Sequence, residues 1–250
     1  MENDITWGEV CIAKEAKKGI GFRAYRHNPK LPNGFENPVQ NIDHFFLSRR
    51  TFPEHSHSGI SAVTYLFEWS RNSLINTDSV GNKNLVIGPG DILWTQTSSG
   101  IIHDEIPKED GQVCEGLQIF IDIPAKFKGQ DPTSFYSEHK DLPKKHIGLA
   151  RIKIIAGKFQ EARSKIQPDW PTDIIEISFT KDSQIDVIVM PNEVISILNI
   201  GAEINVNSLK IEQNSSVSGV NLSKSEQEVS ISGTIKSIFY VLKTKLMEIN

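Results

Sequence analysis

Short runs in which apolar and polar residues alternate recur along the whole chain. In GLQIFIDIP, the side chains of Leu117, Ile119, Ile121 and Ile123 share one face, because successive side chains of a β-strand point to opposite sides. Gly, Pro and Asn separate these runs, which is typical of short antiparallel strands. The same β-branched or aromatic character marks SAVTYLFEW, ARIKIIAG, DIIEISFT, QIDVIVM, EVISILNI and VSISGTIKSIFYVLK. The pattern predicts an all-β fold, a β-sandwich or a β-barrel, with few helices.

The chain of 250 residues is long enough for one large β domain or for two domains of ordinary size. Its composition changes near residue 130, where IPAKFKGQDPTSFYSEHKDLPKKH is polar and interrupted by prolines, as a linker would be. All seven histidines lie at or before position 146. We therefore predict a histidine-bearing N-terminal module over residues 1–130, a linker over 131–150, and a second β module over 151–250 without the usual metal ligands.

Composition and charge narrow the class of protein. Hydrophobic residues make up 38% and charged residues 23%, which predicts a soluble globular protein, and the formal net charge is −4. That balance gives no general attraction for nucleic acids or anionic membranes. The two cysteines are far apart, so no disulfide is predicted. The acidic N-terminus lacks a signal-peptide core, and no apolar run approaches the roughly 18 residues of a membrane span. We expect a cytoplasmic protein.

Two pairs of side chains with the same spacing suggest a metal site. In TFPEHSHSGI, His55 and His57 are two residues apart, and in SSGIIHDEIP the same spacing joins His103 and Glu105. Residues i and i+2 of a strand share a face. If the two segments lie on neighbouring strands, three nitrogens and one carboxylate oxygen meet. The sequence therefore predicts one bound divalent metal ion.

The residue types narrow the choice of metal without fixing it. Imidazole suits Fe, Ni, Cu or Zn, and a carboxylate shifts the preference toward Fe or Mn. Four protein ligands would leave about two positions open in an octahedral ion, by analogy with the open sites of non-haem iron oxygenases. A structural zinc site would more often use cysteines. Either pair alone would be better explained by a surface loop or a satisfied polar cluster, and that alternative stays open.

Other residues have simpler interpretations. The GPGD segment Gly88–Asp91 predicts a type II turn, with Pro89 at its second position. His44 is expected to be structural. Cys114 is more often a small buried residue than a redox sensor. Trp94 is expected to pack in a barrel, and Arg49-Arg50 to be solvated.

The segments that carry the histidine pairs resemble the pirin family, within the cupin superfamily. The matching stretches are NPVQNIDHFFL, FPEHSHSGISAVTYLFE, DSVGNKNLVIGPGDILWTQTSSGIIHDEIP and EGLQIFIDIPA, which together span about residues 37 to 126. The resemblance implies a bicupin, that is, two antiparallel β-barrels, with one mononuclear metal in the N-terminal barrel. Its ligands would be His55, His57, His103 and Glu105. Family members bind iron most often, and Zn, Mn, Ni, Cu and Co remain alternatives.

The resemblance also implies two different functions. Some family members are quercetin 2,3-dioxygenases, which cleave a flavonol ring with O2 and release carbon monoxide. We predict this activity first, on a small aromatic, flavonol-like substrate, with Glu105 as the catalytic residue that takes the substrate hydroxyl proton. Other members are non-enzymatic, iron-dependent redox regulators that bind a partner protein. A third possibility is a scaffold in which the metal only stiffens the barrel.

Overall fold

The structure, a computed structural model, describes residues 5–247. The acidic N-terminal stretch was the basis for predicting that there is no signal peptide. Its residues 1–4 lie outside the described range. The strands up to residue 137 are β1 (Ile5–Trp7), β2 (Cys11–Ile12), β3 (Lys14–Lys18), β4 (Phe22–His27), β5 (Val39–Leu47), β6 (His55–His57), β7 (Ile60–Leu66), β8 (Leu74–Asp78), β9 (Leu85–Ile87), β10 (Ile92–Gln96), β11 (Ile101–Pro107), β12 (Cys114–Asp122) and β13 (Thr133–Ser137).

The remaining strands are β14 (Lys144–Ile147), β15 (Ala150–Ala156), β16 (Lys158–Phe159), β17 (Ala162–Arg163), β18 (Thr172–Phe179), β19 (Ser183–Val189), β20 (Glu193–Asn199), β21 (Ile204–Val206), β22 (Leu209–Ile211), β23 (Ser215–Asn221), β24 (Gln227–Gly233) and β25 (Ile238–Lys245). One helical turn, α1 (Ala125–Lys128), and two 3-10 turns, Pro32–Gly34 and His139–Asp141, complete the described elements. The predicted all-β class is confirmed.

The described chain divides into two compact units. The first, here called the histidine unit, comprises Lys14–Arg26 and Val39–Asp141. The second unit comprises residues 5–13, 27–38 and 142–247. The predicted boundaries at residues 130 and 151 remain a prediction. Strands β1 and β2 pair with β23, a partner that no local turn signal could have indicated.

Two antiparallel sheets enclose the interior of the histidine unit. The larger sheet has the order β13-β10-β7-β12-β5-β4-β3, and the smaller has the order β6-β11-β8-β9. Alternating residues of the two sheets meet in an apolar cluster, which includes Phe45, Leu66 and Cys114 from the larger sheet and Leu74 and Ile87 from the smaller. This cluster fixes which face of every strand points inward, and therefore which polar side chains line the interior.

The predicted GPGD turn is present where β9 passes into β10. Gly90 has a φ of +85°, and the amide N–H of Asp91 donates to the carbonyl oxygen of Gly88 at 3.0 Å. A positive φ is favourable only for glycine at this point. The Asp91 carboxylate also accepts hydrogen bonds from the Tyr136 hydroxyl and from the His139 amide, both at 2.7 Å. The turn thereby holds β13 beside β10.

The second unit also consists of two main sheets, but its interior is apolar. An eight-stranded sheet contains β1, β2, β23, β20, β25, β18, β15 and β14, and a four-stranded sheet has the order β19-β24-β21-β22. Their shared cluster consists chiefly of isoleucine and valine, with Phe159, Phe179 and Phe239 among its larger members. Such an interior offers no metal ligands. No helix among residues 5–247 is long and apolar enough to cross a membrane.

Candidate metal centre

His55 and His57 lie on β6, the edge strand of the smaller sheet of the histidine unit. β6 pairs antiparallel with β11, and the register sets His103 opposite His55 and Ile101 opposite His57. After β6 the chain turns at Gly59, whose φ of +73° suits glycine. The two segments singled out from the sequence are therefore neighbours in one sheet.

The rings of His55, His57 and His103 converge. Their centroids are 4.6 to 5.0 Å apart, and one potential ligand nitrogen of each ring lies within 4.8 Å of the others. His103 is only 6% exposed, and its Nε2 has no hydrogen-bond partner among the described residues. A buried nitrogen without a partner is costly unless something else binds it. The three imidazoles fit a divalent first-row metal ion.

The backbone fixes the tautomer of His55. Its Nδ1 lies 3.0 Å from the carbonyl oxygen of Pro53. A carbonyl oxygen can only accept, so Nδ1 must carry the hydrogen, and in the neutral ring Nε2 keeps its lone pair. A backbone carbonyl on the other ring nitrogen is the usual device that orients a metal-binding histidine.

Two of the three histidines are held neutral by their surroundings. Burial, with smaller contributions from His103 and His55, lowers the pKa of His57 to about 4. Burial and then the charge of His55 lower the pKa of His103 to about 4, although the carboxylates of Asp78 and Asp104 act in the opposite direction. At neutral pH both rings are therefore uncharged and each offers one nitrogen lone pair, which is the form that a metal ion binds.

Glu105 shares the inner face of β11 with His103 but is not part of the close histidine set. Its Oε1 accepts a hydrogen bond from the Thr64 hydroxyl at 2.8 Å. Burial raises the pKa of Glu105 to about 7, despite that hydrogen bond and the nearby charge of His55. Without an ion, this carboxyl group can thus exchange a proton near neutral pH. Its assignment as fourth ligand and catalytic residue stays a prediction.

Asp78 is a charged neighbour that sequence reasoning missed. It lies on β8 opposite His103. Its Oδ1 accepts backbone N–H groups of Val80, Gly81 and Asn82 at 3.0 to 3.1 Å, while the amides of Asn76 and Asn82 donate to its Oδ2. Burial alone would raise the pKa of Asp78, but these hydrogen bonds lower it. A fixed negative charge beside the histidines favours a cation there. The signal in the sequence was DSVGN, an Asp-initiated turn.

An aromatic side chain closes one side of the cluster. The ring of Phe120, on β12, lies 5.2 Å from that of His57, and it is partly exposed. Gln118, two residues earlier on the same face, contacts Thr64. The apolar alternation in the sequence marks the opposite face of this strand, Leu117 to Ile123. The alternate positions carry the side chains that line the interior, and strand alternation was the signal that could have found them.

The other residues singled out from the sequence lie outside the cluster. His44 Nε2 lies 3.0 Å from Glu115 Oε1, as suits a structural histidine. Trp94 is 1% exposed. Cys114 is buried, its Sγ lies 3.3 Å from the carbonyl oxygen of Ser73, and burial raises its thiol pKa to about 12. It is therefore a protonated packing residue, not a reactive thiolate. Arg50, expected to be simply solvated, donates to Asp104 at 2.6 Å while staying exposed.

The segments that carry the histidine cluster are similar in sequence to known proteins. The pirin family pattern matches residues 24–121. "Pirin-like protein 2" of Arabidopsis thaliana is 30% identical over 175 residues, which cover 70% of this chain and 53% of the relative. The chain spans only about half the length of the curated relatives it matches.

Solved structures share the fold at low sequence identity. A crystal structure of GK1651 from Geobacillus kaustophilus superposes with a TM-score of 0.87 at 18% identity, over 100% of both chains. Quercetin 2,3-dioxygenase from Acinetobacter baumannii gives 0.80 at 18%, over 97% of this chain and 87% of that chain. The bacterial pirin YhhW from Escherichia coli, in complex with nickel(II), gives 0.73 at 14%, over 96% and 99%. The described chain thus has two β domains of the cupin type, and residues 24–121, which carry the histidine cluster, are similar to the pirin family.

Proposed function

We propose that this protein is a metal-dependent dioxygenase that opens a flavonol-like aromatic substrate with O2. The observation that carries the proposal is the convergence of His55, His57 and His103 beside a partly exposed aromatic side chain. The fold shared with a quercetin 2,3-dioxygenase adds support, although at 18% identity it speaks for the architecture alone. We assign the three histidines and Glu105 as ligands. Iron is our first choice of metal, and nickel our second because it is bound by YhhW.

A bound divalent ion would supply Lewis acidity toward an acidic hydroxyl group of the substrate and the redox chemistry needed for O2. The chain's own residues prepare the site for that ion. His57 and His103 are neutral at pH 7 and add no positive charge. Asp78, fixed as an anion by its hydrogen bonds, offsets part of the ion's charge. The ion would favour a deprotonated substrate through its positive charge, and the Asp78 carboxylate would weaken that preference.

Glu105 is our candidate for the proton acceptor. Thr64 holds its Oε1, so Oε2 would face the ion, and Glu105 would have to release the ion before Oε2 could take the substrate proton. The pKa of about 7 describes the carboxyl group in the absence of an ion. A bound cation would lower this pKa, and the approach of an acidic phenol compensates, because a more acidic donor needs a weaker base.

Phe120 would hold the aromatic part of the substrate. Its ring lies against His57 and remains partly exposed, so a second aromatic ring can pack beside it in the offset or edge-on arrangement that such rings prefer. Packing here would bring the substrate hydroxyl toward the histidines.

The test is the consumption of quercetin by protein loaded with Fe, Ni, Mn, Co or Cu, with and without air. We expect one O2 to be consumed for each carbon monoxide released, and none without air. A His55→Ala, His57→Ala double variant should be inactive, and His146→Ala, a histidine outside the cluster, should behave as wild type. Wild-type protein that releases no carbon monoxide with any of these metals would refute the proposal. The iron-dependent regulator that binds a partner protein stays the alternative.

A further inference from the structure

Thr64 is a buried polar residue at the centre of the larger sheet of the histidine unit. It lies on β7, between Leu93 of β10 and Gln118 of β12, and it is 3% exposed. Leu66, two residues further along, belongs to the apolar interior cluster. Strand alternation therefore directs the Thr64 side chain into the same interior that the histidines face.

Its hydroxyl group faces two acceptors. Thr64 Oγ1 lies 2.8 Å from Glu105 Oε1 and 3.0 Å from Gln118 Oε1. The Gln118 amide is itself oriented, because its Nε2 donates to the carbonyl oxygen of Val63 at 3.2 Å. Gln118 thus presents its oxygen, not its nitrogen, to Thr64. One hydroxyl hydrogen must serve two oxygens.

Charge decides which oxygen receives the hydrogen. Hydrogen bonds to an ionised carboxylate are roughly twice as strong as those between neutral groups. A carboxylate that ligates a metal is ionised, so in the metal-bound protein Thr64 donates to Glu105 rather than to Gln118. The metal-bound state therefore has one defined hydrogen-bond arrangement around Glu105.

We propose that Thr64 is a positioning residue of the metal centre. Its hydroxyl anchors one oxygen of Glu105 and so sets the direction in which the other oxygen faces the histidine cluster. Partners that hold the ligands of a metal in this way commonly change metal affinity about 10- to 100-fold when they are removed. The inference rests on the metal centre of the proposed function, but not on its substrate or its reaction.

The alternative role for Thr64 is purely structural, as a buried hydroxyl that merely needs partners. The two roles differ in what they change. A structural hydroxyl affects the stability of the metal-free protein and leaves the bound ion unchanged. A positioning hydroxyl changes the affinity for the ion and the geometry of its ligands.

The experiment compares Thr64→Val, which keeps the branched shape without the hydroxyl, with Thr64→Ser, which keeps the hydroxyl. Thr64→Ala is a second hydroxyl-free variant, should the valine variant not fold. Thr244→Val is the matched control, a buried threonine of the second unit that donates to the Pro171 carbonyl oxygen. Cobalt(II) affinity is measured by competition with a coloured chelator. The visible absorption spectrum of the cobalt protein reports its ligand geometry, and the melting temperature without metal reports folding.

We expect cobalt affinity to fall about 10- to 100-fold in Thr64→Val, with an altered cobalt spectrum. Thr64→Ser should recover the wild-type affinity and spectrum, and Thr244→Val should match wild type. Wild-type affinity and spectrum in the hydroxyl-free variants would overturn the inference, as would a serine variant as weak as the valine variant. If quercetin is not consumed but the affinity series holds, the proposed function fails and this inference stands.

Discussion

At the scale of single residues, the candidate site combines groups whose pKa values are all shifted in favour of the uncharged form. His57 and His103 are kept neutral by burial, whereas the equally enclosed carboxyl group of Glu105 has its pKa raised toward 7. All three shifts favour the uncharged form, as expected for groups withdrawn from water. A cation in the site would bind the lone pairs of the two histidines and would stabilise the ionised form of Glu105.

These shifts predict opposing effects of pH on the metal-free protein. The folded-state pKa of His57 and His103, about 4, lies below the usual 6.5, so acidification from pH 6.5 to 4 protonates the unfolded chain preferentially and destabilises the fold. The pKa of Glu105 is raised from 4.5 to about 7, so between these values it retains a proton only when folded and acts in the opposite direction. Because two histidines act against one carboxyl group, their net effect is that the free energy of unfolding falls on acidification.

The measurement is urea unfolding between pH 7 and 4.5 in the presence of chelator. Glu105→Gln should steepen the loss of stability on acidification, by at most about 1.4 kcal/mol per pH unit, because one opposing proton is removed. A His57→Asn, His103→Asn double variant should lose less stability than wild type on acidification, or should gain stability. If the glutamine variant has a shallower slope than wild type, the raised pKa of Glu105 is wrong.

At the scale of elements, β12 joins the packing of the histidine unit to its chemistry. One face of the strand carries the apolar residues recognised in the sequence, and the other carries Gln118 and Phe120 beside the candidate metal centre. The strand pairs with β5 on one side and β7 on the other. Its close fit against β7 depends on Gly116, where an added Cβ would lie 2.2 Å from the Tyr65 carbonyl oxygen.

Gly116→Ala is therefore expected to destabilise the protein by about 1–3 kcal/mol, because backbone on the neighbouring strand must move to make room. Gly129→Ala is the control, since a Cβ there meets nothing within 4 Å. Chemical denaturation of both variants makes the comparison. Equal stabilities would show that β7 and β12 separate without cost, contrary to the contact described.

At the scale of the whole molecule, the two units differ in what their interiors can bind. Among residues 5–247, one group of histidine, cysteine or acidic side chains is arranged to hold a metal, and it lies in the histidine unit. The interior of the second unit is filled by isoleucine, valine and phenylalanine side chains. The chain as a whole is therefore expected to take up one ion.

Titration calorimetry should give one divalent ion per chain. At a free metal concentration of 100 times Kd, binding to the folded state alone stabilises the protein by about 2.7 kcal/mol. The melting temperature should rise accordingly in wild type and stay unchanged in the His55→Ala, His57→Ala variant. A second stoichiometric ion, or an equal rise in the variant, would contradict a single centre.

The sequence predicted the strand-rich class and the histidine group because both depend on local spacing. Period-two alternation marks β12, and the spacing of His55 and His57 puts them on one strand face. The sequence could not predict the pairing of β6 with β11 in a register that sets His103 opposite His55, and the resemblance to pirins supplied it. Thr64 and Gln118 were missed because each acts through a partner distant in sequence, and Asp78 was missed because its local turn does not show that it lies opposite His103.

The route of the N-terminal segment has a consequence for synthesis of the protein. β1 and β2 pair with β23, whereas β3 and β4 join the sheet of the histidine unit. On the ribosome, β1 and β2 must wait unpaired until β23 has been translated, while β3 and β4 find partners in strands that are closer in sequence. β1 and β2 would then stay unpaired for longer than β3 and β4, which exposes them for longer to chaperones and proteases.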